Sequence, residues 1–99
     1  MSDYYILDGH KVVSVDLMTW AKWFEKADRH VAKAGEKDKV LVSTVFLGLD
    51  HQFGEGRPML FETMIFGGKH DQFQERCSTW DEAEHMHKRA CQLAGLNDD

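Results

Sequence analysis

Between Val40 and Gly68 the chain reads VLVSTVFLGLDH, then a short glycine-containing loop, then PMLFETMIFGG. Side chains alternate across a strand, so Val42, Thr44 and Phe46 share one face while Leu41, Ser43, Val45 and Leu47 share the other. The second run sorts the same way. Met59, Phe61, Thr63 and Ile65 oppose Leu60, Glu62, Met64 and Phe66. Strands apolar on both faces belong in the middle of a sheet, with a cover on each side. A β-hairpin over Val40–Phe66 is therefore the element the rest of the chain must serve. Its loop, Asp50 to Pro58, is longer than a tight turn needs.

The flanking segments supply candidates for that service. Asp8-Gly9 between Tyr4–Leu7 and Val12–Val15 signals an N-terminal hairpin, because a tight turn needs positive φ and glycine supplies it. Asp16 is placed to cap a helix. Leu17, Trp20, Phe24, Ala27 and Val31 recur at helical spacing, which predicts a helix from Leu17 to about Lys33 closed by Gly35. Trp23 beside that stripe is either core or an exposed anchor for a partner. Gln72–Thr79 reads as a polar edge strand. Ser78 or Thr79 then caps a second helix running to about Leu93, with Gly95 at its end. On that helix Ala83, His87, Ala90 and Ala94 lie on one line, flanked by Met86 and Cys91, and His85 points away. The expected order is β-β-α-β-β-β-α in a single α+β domain spanning residues 1–99. It forms an antiparallel sheet of about five strands with both helices packed on one face. The uncovered face would carry apolar residues, which points to a homodimer or another protein as its cover.

Bulk properties remove several function classes. At 99 residues the chain makes one domain that needs neither metal nor disulfide to fold. A formal charge of −5 with scattered lysines and arginines argues against nucleic acid as a partner. No apolar run approaches a membrane span, so no membrane partner is expected. Cys77 and Cys91 match no metal-ligand spacing, and MSDYYILDGH has no signal-peptide pattern. Reduced thiols in a cytoplasmic setting are the expectation.

No catalytic signature and no cofactor motif stands out. The candidate binding residues are Asp50 and His51 at the hairpin end, Glu62 within the second strand, His87 on the second helix, and Trp23. Glu62 in an apolar strand has three readings: it faces water, it pairs with Arg57, Arg76 or a helix residue, or it is a ligand or general base. His87 is a core histidine held by a hydrogen bond, or it converges with His51 and Glu62 on a metal ion or small ligand, with or without enzymatic activity.

The blocks VSTVFLGLDHQFGEGRP, LFETMIFGG and STWDEAEHMH, with DLMTWAKWFEKADR before them, cover most of the chain. In these the sequence resembles small uncharacterised proteins encoded by tailed phages and prophages. The shared blocks include Asp50, His51, Glu62, Trp80, Glu82 and His87. The resemblance implies an accessory protein in the cytoplasm of an infected host cell. Such a protein would act by protein–protein binding on host or anti-phage defence machinery. It implies no transferable activity.

Overall fold

The computed structural model describes residues 3–50 and 56–96. The class is α+β, with two antiparallel sheets and two helices. Strands β1 (Tyr4–Asp8) and β2 (Lys11–Val15) form the N-terminal hairpin, in register from Tyr4 opposite Val15 to Asp8 opposite Lys11. Gly9 turns it at φ +64°. Helix α1 (Leu17–Lys26) follows, with the Asp16 carboxylate accepting the Thr19 N–H at 2.8 Å. Next come β3 (His30–Gly35), β4 (Leu41–Phe46), β5 (Phe61–Phe66), β6 (Gln74–Cys77) and helix α2 (Trp80–Leu93). The larger sheet is an antiparallel meander, β3-β4-β5-β6.

The order is thus β-β-α-β-β-β-β-α, one strand more than the sequence pattern predicts. The first helix stops at Lys26 instead of Lys33, and the segment expected to be its last turns is β3. A turn of the backbone, a local hydrogen bond and a contact across to β4 accompany the break. Ala27 turns extended, at φ −75° and ψ 142°. The Asp28 carboxylate accepts the His30 N–H, an alternative that aspartate offers the backbone in place of helix. Arg29 lies over the Phe24 ring at 4.2 Å and donates from Nη1 to the Phe46 carbonyl at 3.0 Å. These contacts swing residues 30–35 beside β4. Gly35 then closes β3 at φ +93°, not a helix, and a Cβ there would meet the Val40 carbonyl.

The helices also divide differently from expectation. Only α2 crosses the four-stranded sheet, whereas α1 packs against β1 and buries no residue fully. The hairpin is a separate two-stranded sheet. It is tied to the chain after β4 by the Tyr5 N–H donating to Gly48 O at 2.9 Å and by a bridge from Tyr4 to Leu49.

The core lies between α2 and the inner face of the meander. Phe46, Phe61, Leu60, Ala83 and Met86 form one cluster; Val42, Ile65, Ala90 and Cys91 form the other. All nine are at most 2% exposed. Full burial of each large apolar side chain contributes about 1.5–3 kcal/mol. Thr79 and Glu82 close a reciprocal capping box at the start of α2. At its end the Leu96 N–H donates to Cys91 O at 2.8 Å around Gly95 (φ +80°), which returns Leu96 to the core. No disulfide joins Cys77 to Cys91. Among the described residues no helix is long and apolar enough to cross a membrane.

Candidate functional site

The register of the meander settles which side chains share a face. Thr44 stands opposite Thr63, and both point at α2, fully buried. There the Thr44 hydroxyl joins Thr63 Oγ1 at 2.5 Å and His87 Nδ1 at 2.8 Å. His87 is therefore a core histidine in a hydrogen-bonded group, 5% exposed. Its position follows from the helical line with Ala83 and Ala90, both buried beside it.

Glu62 is one residue from Thr63, and so it projects from the opposite face. Its Oε2 accepts from Arg76 Nε at 3.0 Å and from Gln74 Nε2 at 2.5 Å, both on β6. The carboxylate side chain is 15% exposed. The structural pairing with Arg76 therefore holds, on the face away from α2, and the carboxylate is largely shielded from water by its two partners.

The sheet thus stands between Glu62 and His87, and the convergence of His51, Glu62 and His87 on one ion does not form. The cause is the strand's two-residue period: the ligand set placed residues from opposite faces together. His51 lies outside the described residues. Among the described residues no cluster of three metal-ligating side chains exists. Asp50 also has a local task, with Oδ1 accepting the Met59 N–H at 3.1 Å and so closing the neck of the long loop. Trp23 is half-buried, its ring edge-on to Phe46 at 5.7 Å. That contact places it with the core.

What remains is the helix-free face of the meander. Cross-strand partners share a face, which yields three rows: His30, Val45, Glu62 and Arg76; Lys33, Ser43, Met64 and Gln74; Gly35, Leu41 and Phe66. Ser43 is small among larger neighbours, and it leaves a depression of about 130 Å³ bounded by Val45, Glu62, Met64 and Phe66. Phe66 is 44% exposed. Two larger hollows lie at the far end of α2, one beside Lys69 and His70 and one beside Glu36 and Lys39. Neither contains any of the residues singled out from the sequence.

Two polar features escape sequence reasoning. Arg57 and Glu82 form a bidentate pair at 2.7 and 2.9 Å, which holds the end of the long loop to the start of α2. The Arg57 hydrogen bonds hold the Glu82 carboxyl at about 2, well below the usual carboxylate range, with the Ser78 and Thr79 N–H groups assisting. The His10 ring stacks on Trp80 at 3.8 Å with 7° between planes, so the hairpin tip rests on α2. The signal available for the first was Glu82 in its capping position; the twenty-five-residue separation hides the partner.

No family model, no curated protein and no solved structure matches this chain.

Proposed function

We propose that this chain is a phage-type accessory protein that works as a binding module and holds another protein on the helix-free face of its sheet. The observation that carries the reading is that face itself. Among the described residues no element covers Leu41, Val45, Met64 and Phe66 there, and Ser43 lines a depression between them. The carboxylate on that face among the described strand residues, Glu62, is held by Arg76 and Gln74 within the sheet. A surface of this kind, an apolar centre with satisfied polar groups at its rim, suits protein recognition. The phage resemblance supports host or anti-phage defence machinery as the partner class.

The test is capture from bacterial lysate by tagged wild type beside a Met64→Glu/Phe66→Glu variant whose melting curve matches. A stoichiometric protein held by wild type and lost by the variant supports the reading. Equal capture by both proteins moves the interface elsewhere and ends it, as does the capture of nothing.

A further inference from the structure

We infer that the occupant of the helix-free face is a single amphipathic helix of a partner protein, carrying acidic residues beside its apolar stripe. This rests on the reading of that face as a binding surface.

Area argues first, against a second copy of this chain. Three strands of six residues and one of four, at ~3.4 Å per residue and about 4.8 Å between strands, make a face of at most roughly 400 Å². A stable protein pair buries about 800 Å² per partner. A helix is a better match in size. On the opposite face of the same sheet the fourteen residues of α2 suffice, touching all four strands through Ala83, Met86, His87, Ala90 and Cys91. A partner helix of that length spans ~21 Å, about the length of the strands.

Charge argues second. The chain carries −5 overall, yet among the described residues the strands of its helix-free face carry one acid, Glu62, and it is compensated. Glu62 is neutralised by Arg76. Lys33 stands exposed on β3 directly beside Ser43 and makes no ion pair among the described residues, whereas Arg76 on β6 is already taken by Glu62. An apolar stripe laid over Val45, Met64 and Phe66 would bring one of its flanks over Lys33. Acidic residues on that flank complement it. The depression at Ser43 takes one large apolar side chain as the anchor.

The probes are two synthetic fourteen-residue peptides with one leucine stripe, flanked by glutamate in the first and by lysine in the second. Binding to the full chain is read by amide NMR shifts. The glutamate peptide is expected to saturate, to bind at least about ten-fold tighter than the lysine peptide at low salt, and to shift Ser43, Val45, Met64 and Phe66. Lys33→Glu should erase the preference. Ser43→Trp, which fills the depression, should abolish binding; if it fails to fold, Phe66→Ala at an already exposed position makes the same test. Equal affinity for the two peptides overturns the inference. So do shifts centred on the exposed Leu17 and Met18 of α1 or on Leu93, or a wild-type dimer that the face substitutions dissociate. If the lysate partner is lost on face substitution while neither peptide binds, the helix assignment fails and the binding reading stands. If both experiments are blank, both fall.

Discussion

Thr44 on β4 and His87 on α2 are joined across the core by a 2.8 Å hydrogen bond from Oγ1 to Nδ1, and the same hydroxyl meets Thr63 of β5 at 2.5 Å. Three elements are thus pinned at one buried oxygen, within a core built mainly from apolar side chains. A bare hydroxyl or imidazole at this depth would be costly, so each makes the others tolerable.

Thr44→Val keeps the volume and removes that oxygen. It should cost about 1–3 kcal/mol, because Thr63 and His87 both lose a partner while staying buried. Thr63→Val made in the Thr44→Val background should cost less than it does in wild type. Urea melts of the four proteins measure the coupling. Losses additive within ~0.3 kcal/mol would show that the hydroxyls act independently.

Phe46 and Phe61 are fully buried, and their rings lie 5.2 Å apart. Replacing either by alanine should cost about 3–5 kcal/mol from lost burial and the cavity left behind. The double variant should lose less than the sum, since the two rings line one space. A single-variant loss near zero in urea would contradict their placement at the centre of the core.

The Glu82 carboxyl is held at about 2 by Arg57 and by the backbone at the start of α2. Its folded-state pKa lies below the ordinary value of 4.5, so its contribution is complete above that value. It is lost as pH falls toward about 2. Glu82→Gln should therefore flatten the fall in stability between these limits. The ion pair is exposed and screened by solvent, so Arg57→Ala should shift the melting curve only slightly near neutral pH. Thr79→Ala, which removes the other half of the capping box, should cost about 0.5–2 kcal/mol. Melting temperatures across pH 2–7 supply the check; parallel curves for wild type and Glu82→Gln would refute the assignment.

Burial pushes the Cys77 thiol up to about 11, and the nearby Glu82 charge adds to the effect. Only the thiolate reacts with alkylating agents. In a Cys91→Ala background, iodoacetamide at pH 8 should therefore modify Cys77 at least about ten-fold more slowly in the folded protein than in urea. Equal rates would mean that the thiol is open to solvent.

Much of this architecture is legible in local chemistry. Asp8-Gly9 forms its turn, Asp16 and Thr79 cap their helices, Gly95 ends α2, and β4 and β5 are central and two-faced. Each depends on neighbours within about four residues, where backbone geometry and side-chain period act directly. The stretch from Ala27 to Gly35 is different. Ala27 and Val31 satisfy a helical stripe, while Asp28 and the β-branched Val31 also suit a turn followed by a strand. The choice falls to Arg29 reaching the Phe46 carbonyl and to β4 offering an open edge, neither of which is local.

The candidate residues divide in the same way. The helical period by itself sets His87 toward the sheet, and the strand period by itself sets Glu62 apart from Thr63. Which of those faces α2 covers is decided only by tertiary packing. The chain's one long amphipathic helix buries the face bearing Val42, Thr44, Phe46, Phe61, Thr63 and Ile65. Burying the other would have taken the exposed Lys33 out of water and sealed in the Glu62–Arg76 pair, a desolvation cost that the helix avoids on the side it covers. His87 therefore serves the core and Glu62 the surface, separated by the strands that carry Thr44 and Thr63.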